Sequence, residues 1–438
     1  MSPVAGGGTR PLPQAAYERW LDALTRAGWS PRPGDGDGDT ERMAVGAALG
    51  RVTAGPVTAR WPSPRTACAA MDGIAVRAAD LAGAAAASLT TAADDQGGAG
   101  AGETAVRLPA GRFEWIDTGD PMPDGADTVV IRERLLPQAD GSVLVTTDRG
   151  GAGRGGAGRN VRAAGEDFQA GEVLVPGGRP LRPGDLAAAA AGGHASVTVT
   201  RRPAVAIIPT GDEIRPVGAV LERGDIVDTN SVMLAARCRQ LGAVPLVSDV
   251  VPDDPDALTA EVRRAAARVG LVLVIAGSSR GRGDHTAAVL AQAGAVAVAG
   301  VAVRPGHPAL LGLAKPAGQR AVTTPVIGLP GYPLATAVVF ELFAVPVLAA
   351  LSGSEAPAAG RVTARLGRDW DSPADADEWV LVTLDPGDDG VPVAAPARRG
   401  AGSVSQLARA DAWWPVPAGP GGYARGTEIT VIPIRGAW

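Results

Sequence analysis

Between residues 203 and 351 the chain repeats one pattern: a short apolar run, a polar loop, then a helical stretch. "AVAIIP" leads to "NSVMLAARCRQLG", "VPLVSDVV" leads to "DDPDALTAEVRRAAARVG", and "LVLVIAG" leads through "SSRGRGDHT" into an Ala/Val-rich helix. Parallel neighbours need crossover connections, and those connections are right-handed. The alternation therefore predicts a three-layer α/β domain with a parallel sheet. "LVLVIAG" is apolar at every position, as a strand covered on both faces must be. "AVAVAGVAV" and "TPVIGLP" supply further strands, and a helix follows from about 334. Thr229 or Asn230 is expected to cap the first helix, which Gly242 ends. Asp253 or Asp254 is expected to cap the second, with Pro255 just inside it. In such a sheet the ligand site lies at the carboxyl ends of the strands.

The chain has 438 residues, too many for one core. Upstream of the α/β unit, "AAYERWLDALTRAGW" has helical spacing. From about 55 to 157, short Val/Thr runs separated by Gly, Pro and Asp read as a small β-rich domain. The last 80 or so residues read as another β-domain of short strands. Residues 1–12 read as a disordered leader, and "RGGAGRGGAG" as a solvated linker. "GDGDGDT" is not a calcium loop: its sixth and twelfth positions hold Thr40 and Gly46, where that loop needs Gly and Glu.

The net charge of −5 argues against a nucleic-acid partner. No basic-then-apolar leader is seen, and "AVVFELFAVPVLAAL" is broken by Glu341 and Pro346, so it reads as a buried helix rather than a membrane span. The expected location is cytoplasmic. Cys68 and Cys238 have no metal-ligand spacing and read as two free thiols.

Several polar loops follow strands of the same sheet, so they converge. They carry Thr210, Asp212 and Glu213; Asp228 and Asn230; Ser278, Ser279, Arg280, Arg282 and Asp284; Arg304 and His307; and Gly331 and Thr336. Small residues allow close approach to a ligand, and arginines bind phosphate or oxyanion. Carboxylates beside an anion would repel it unless a hard cation such as Mg²⁺ lies between them. Taken singly, the acidic residues also read as helix caps and "PGHP" and "PGYP" as plain turns. Together they point to a phosphorylated ligand with a divalent ion.

These pieces, in this order, resemble a known family. "ALGRV", "AMDGIAVRAAD", "DTGDPMPDGADTVV", "NVRAAGEDFQAGEVLVPGGRPLRPGDL", "RRPAVAIIPTGDEI", "DTNS", "VAVRPGHPALLG", "GLPGYPLATAVVFELF" and "GAGSVSQLARADAWWPVP" are similar to the MoeA-type molybdopterin molybdenumtransferases, relatives of the gephyrin C-terminal domain. The resemblance implies a multidomain α/β plus β fold. An elongated helical N-terminal region would comprise 13–52 and 159–202, with a small β-domain inserted at 53–158. A MogA-like molybdopterin-binding domain would span 203–352 and a C-terminal β-domain 358–438.

It further implies a homodimer whose site lies between the α/β domain of one subunit and the inserted β-domain of the other. The implied reaction joins molybdate to adenylylated molybdopterin, releases AMP and uses Mg²⁺. Asp72, Glu213 and Asp228 become the implied catalytic carboxylates, with Asp284 and Glu213 as metal ligands. Thr118, Gly277, Ser278, Ser279, Arg304, Pro305, His307, Pro308, Pro330 and Pro333 become substrate contacts, and Asp167 a supporting residue. A molybdopterin adenylyltransferase is the implied partner enzyme. The family's "SGGVSVGDYD", "KPGKP" and "PGNP" stand here as "AGSSRGRGDHT", "RPGHP" and "PGYP", so Thr286 replaces an acid, His307 a lysine and Tyr332 an asparagine. Two alternatives stay open: a non-catalytic molybdopterin- or oxyanion-binding paralogue, and an adenylyltransferase.

Overall fold

The computed structural model describes residues 10–30, 39–82, 86–92, 107–146, 156–275, 283–315, 323–355, 360–419 and 421–434, with residues 283 and 284 described by their backbone alone. The central unit follows a first helix, α1 (Pro13–Arg26), and contains β1 (Ala204–Pro209), α2 (Thr229–Gln240), β2 (Val244–Val247), α3 (Pro255–Ala266) and β3 (Leu271–Ile275). It continues with α4 (Gly283–Ala293), β4 (Gly294–Ala299), β5 (Leu310–Ala314), β6 (Thr324–Leu329) and the helix α5 (Pro333–Leu351).

The strand order is β2-β1-β3-β6-β5-β4. β2, β1, β3 and β6 are parallel, whereas β5 runs antiparallel to both β6 and β4. The sheet is thus mixed. "PALLGLA" carries no turn signal that marks a reversed strand, and the five strand residues Leu310–Ala314 are all buried like those of a parallel strand.

Side chains of β3 alternate between two cores. Leu271, Leu273 and Ile275 face a layer formed by α1, α2 and α5, while Val272 and Val274 face α3 and α4. α3 starts where Asp254 accepts hydrogen bonds from the backbone of Asp256 and Ala257, with Pro255 at its first turn. α2 is capped by Asp228, not by Thr229 or Asn230: its carboxylate accepts the Ser231 N–H at 2.9 Å.

α1 buries Ala16, Trp20 and Leu24, spaced four apart on one face, and stops at Gly28, whose φ is +82°. The Trp20 indole donates to the Gly312 carbonyl on β5 at 2.7 Å. The helix falls in the segment expected in the elongated region, and its apolar stripe packs on the α/β sheet. α5 holds a π-helical turn at Phe340–Ala344, just before Pro346, whose missing N–H cannot complete a regular α-helical ladder. It is long and apolar enough to cross a membrane, yet most of it is buried in this core, and Glu341 is paired with Arg237 at 2.7 Å.

The elongated region is less helical than the resemblance implies. It pairs Thr40–Ala44 with Ser196–Thr200 and Val57–Thr58 with Val173–Val175, and adds one nine-residue helix, Pro183–Ala191. Ala48, Val57, Val175, Leu181 and Val197 form its core. Residues 57 and 58, expected in the inserted domain, therefore pair within this region. The inserted domain is a six-stranded sheet in the order Thr128–Ile131, Gly73–Val76, Arg112–Ile116, Ala86–Thr91, Val143–Thr146 and Leu135–Pro137. Ile74, Leu89, Phe113, Val130 and Val145 fill it.

The C-terminal strands Asp377–Asp385, Val393–Pro396, Val362–Leu366, Glu428–Pro433 and Ala412–Val416 pair in that order. The last pairs back on the first, closing a small barrel. Val303–Arg304, between β4 and β5, adds to this barrel beside Asp377–Glu378. That short pairing binds the two domains together and places Arg304 at their junction. Both cysteines are buried and unpaired, and burial pushes the Cys238 thiol up to about 12.

Candidate functional site

After β1 the chain goes to β2 on one side of it, then to β3 on the other. The carboxyl ends of β1 and β3 therefore border the crevice where such a sheet takes its ligand. A cavity of about 380 Å³ opens there. Thr210 ties the two strand ends together: its backbone N–H and its hydroxyl both donate to the Ile275 carbonyl, at 3.1 and 3.0 Å. Gly211 then turns with φ +139°. A Cβ there would lie 3.0 Å from a carboxylate oxygen of Glu213, so glycine allows that side chain to fold back over the turn. Glu213 lines the cavity, whereas Asp212 turns away and accepts the backbone N–H of Asp253 at 3.1 Å.

The start of α2 also lines the cavity, joined to the Glu213 segment where the Ile226 N–H donates to the Glu213 carbonyl. Asp228 lines it, and capping engages one carboxylate oxygen. Asn230 lines it too, and its amide donates to the Gly331 carbonyl at 2.7 Å. The Asn230 Oδ1 is buried and has no hydrogen-bond partner among the described residues. The Ser231 hydroxyl beside it is in the same condition. A buried acceptor left unpaired costs about 1–3 kcal/mol, which a ligand donor would offset. Tyr332 and Pro333 close the third side, and Gly402 and Val404 reach in from the barrel.

A second cavity, of about 450 Å³, lies between the α/β domain and the barrel. Arg304, Pro305 and Leu334 line one side, and Trp370, Glu378, Trp379, Arg398 and Arg399 line the other. Glu378 is only 5% exposed and holds Arg399 through two bonds, at 2.7 and 3.0 Å, while the Trp370 indole donates to it at 2.9 Å. Arg399 also lies over the Trp370 ring, 4.4 Å from its centre. Arg304 reaches the exposed carboxylate of Asp375 at 3.1 Å. The cavity thus joins guanidinium groups to flat aromatic walls, a lining suited to an oxyanion next to a ring system.

His307 and Pro308 are exposed beside Arg304 and line neither cavity. Partial burial, with Arg10 and Arg304 nearby, pushes the His307 imidazole below its ordinary value. Arg10 arrives with the N-terminal segment, where the Pro11 carbonyl accepts the Ala302 N–H at 2.8 Å. Residues 10–12, expected to belong to a disordered leader, are therefore docked on this loop. Pro330 accepts the Thr336 hydroxyl and shapes the turn into α5.

Asp72 and Thr118 sit together on the inserted β-domain and line neither of these two cavities. Asp72 accepts the Thr118 hydroxyl and N–H, both at 2.7 Å. These two bonds, with Arg132 nearby, hold its carboxyl below the usual range. Gly277, Ser278 and Ser279 lie outside the described residues, as does the Asp284 side chain. Thr286, standing where the family has an acid, is buried. Asp167 lines neither cavity; its backbone N–H donates to the Ser63 carbonyl.

Motif reading missed Glu378, Trp370 and Arg399, because nothing in their local sequence marks them as neighbours of Arg304. The Trp/Glu/Arg content around an otherwise apolar strand was the available signal. Among the described residues no cluster of three or more His, Cys, Asp or Glu side chains could hold a metal by itself.

The comparisons with known proteins agree across the chain. Residues 14–193 match the MoeA N-terminal region (domains I and II), 206–350 a probable molybdopterin-binding domain, and 363–434 the MoeA C-terminal region (domain IV). A molybdopterin molybdenumtransferase of Nostoc sp. is 35% identical over 324 residues, 73% of this chain and 71% of that protein. The Bacillus subtilis protein of the same name is 33% identical over 406 residues, covering 91% and 90%. The crystal structure of a molybdopterin biosynthesis MoeA protein from Pyrococcus horikosii superposes with a TM-score of 0.79 at 29% identity, over 98% of this chain and all of that one. The fold, the loops at the strand ends and these likenesses have one reading: the chain belongs to the MoeA family of molybdopterin molybdenumtransferases.

Proposed function

We propose that this protein is a transferase of molybdenum cofactor biosynthesis that inserts molybdenum, taken as molybdate, into adenylylated molybdopterin with release of AMP. The observation that carries this reading is the pair of adjoining cavities, one at the strand ends with Glu213, Asp228 and Asn230, the other with Arg304 and Arg399. The first suits the nucleotide half of the substrate. The second suits the oxyanion beside the pterin, where guanidinium groups stabilise negative charge.

Glu213 and Asp228 fit a Mg²⁺ site. They are hard oxygen donors lining one cavity, and Mg²⁺ commonly takes one or two carboxylates plus substrate phosphates. When bound, the ion would neutralise charge on the departing phosphate. Asp284 is the third candidate ligand. Glu213 and the cap residue Asp228 orient the phosphate end, and the Thr210–Ile275 tie keeps the crevice rigid.

The exposed Asp72–Thr118 pair supports a homodimer in which this pair completes the partner's site. Asp72, held ionised, then acts on the substrate from across the interface. A separate molybdopterin adenylyltransferase supplies the activated substrate.

The test follows AMP release from adenylylated molybdopterin with Mg²⁺ and molybdate, tungstate or neither. Oxyanion-dependent release is expected. Tight substrate binding without release under any condition would instead favour a non-catalytic binding paralogue, and ATP-dependent adenylylation of molybdopterin an adenylyltransferase.

A further inference from the structure

The two cavities share a dividing strap. Gly331, Tyr332 and Pro333 border the first cavity and Leu334 the second. From the barrel, Gly402 and Val404 border the first, and Gly400 and Ala401 the second. The Leu334 N–H donates to the Ala401 carbonyl at 3.0 Å, pinning the two segments together. The Tyr332 ring lies directly over Gly402. A Cβ at 402 would meet ring carbons at 3.3 and 3.5 Å, so the ring occupies the space a side chain would take. The backbone of Tyr332 is fixed as well, because its carbonyl accepts both the N–H and the hydroxyl of Thr336, at 2.9 and 3.1 Å.

A half-exposed aromatic ring with a fixed backbone and a fixed edge presents a flat face at low entropic cost. Asn230 lines the same cavity with an unpartnered Oδ1, while the other end of that amide donates to Gly331, the residue before Tyr332. A flat face next to a lone acceptor matches a heterocycle bearing an exocyclic amine. It does not match a phosphate, which has no donor to offer the acceptor.

We infer that Tyr332 is the stacking surface for the purine of the nucleotide in the strand-end cavity, with Asn230 Oδ1 accepting a hydrogen bond from its exocyclic amine. The inference rests on the nucleotide assignment of that cavity. Tyr332 touches the ligand from the neck, so it sets where the base ends and the second cavity begins.

The experiment measures equilibrium binding of two probes, AMP and ribose 5-phosphate, to the full chain in wild-type form and as Tyr332→Phe, Tyr332→Leu and Tyr332→Ala. Stacking on an aromatic side chain is worth about 1–3 kcal/mol per base, so Tyr332→Ala should weaken AMP about tenfold or more. Ribose 5-phosphate should change less than about twofold, because it has no base to lose a stack. Tyr332→Phe should keep AMP affinity. Tyr332→Leu keeps apolar bulk over Gly402, which protects the fold, but lacks a flat face and should lose AMP affinity. Equal losses for both probes, or AMP affinity intact in the leucine variant, overturn the stack. Wild-type protein that binds ribose 5-phosphate as tightly as AMP overturns it too. Wild-type protein that binds neither probe instead overturns the nucleotide assignment on which the inference rests.

Discussion

Asp72 accepts two hydrogen bonds from a single residue, Thr118, through the hydroxyl and the backbone N–H, each at 2.7 Å. The pair is pre-formed on the inserted domain and lines neither of the two cavities described above. If it serves the other subunit, Asp72→Asn and Glu213→Gln homodimers should both be inactive, yet a mixture of the two chains should recover activity. Half of a random mixture is hybrid and each hybrid has one intact site, which gives about a quarter of wild-type turnover. Refolding the two variants together and measuring AMP release checks this. No recovery would place Asp72 in the site of its own chain, and an active Asp72→Asn homodimer would place it outside the site.

Asp228 caps α2, and substitution can separate that role from the one proposed for it in turnover. Asp228→Ala should lower stability by about 1 kcal/mol through loss of the α2 cap, and should also lower turnover. Asp228→Ser keeps a capping oxygen and should restore the melting temperature but not the turnover. A serine variant with full activity would leave Asp228 as a cap only. Asp284→Asn, in contrast, should reduce turnover at saturating Mg²⁺ with little change in melting temperature.

His307 should be mostly neutral at pH 7. Partial burial, then Arg10 and Arg304, lower its affinity for a proton, so its midpoint by NMR should fall below the ordinary 6.5. The chain has three histidines, which makes the titration resolvable. Arg10→Ala should raise that midpoint. Because the folded value lies below the unfolded one, the native state binds fewer protons between the two. The stability from this residue is therefore present above about 6.5 and lost as the pH falls through the folded value. A midpoint unmoved by Arg10→Ala would mean that the N-terminal segment does not dock on this loop in solution.

Trp20→Ala should destabilise the α/β domain by about 3–5 kcal/mol, since it empties a fully buried site and leaves the Gly312 carbonyl without its donor. Chemical denaturation checks it. A cost below about 1 kcal/mol would fit a helix that belongs to the elongated region instead.

The strands and helices of the central domain were legible because their signals are local. Five apolar residues in a row at 271–275 and an Asp-Pro pair before 256 carry their own structure. Of the candidate residues, Glu213, Asp228 and Pro333 were legible too, because each follows a strand of the same sheet or opens a helix packed against it, so the topology converges them. The reversed direction of β5, the docking of α1 on the sheet and the closure of the barrel were not legible. Each depends on contacts between segments far apart in the chain, as Trp20 and Gly312 are, and no local pattern encodes such a pairing. The same reason separates the two halves of the candidate site. Sequence alone determined which loops carry polar chemistry and in what order. Only the tertiary structure brought Arg399, held by a buried Glu378, across from Arg304, and set Tyr332 on Gly402 between two cavities, because side chains of separate domains become neighbours only when both have folded and packed together.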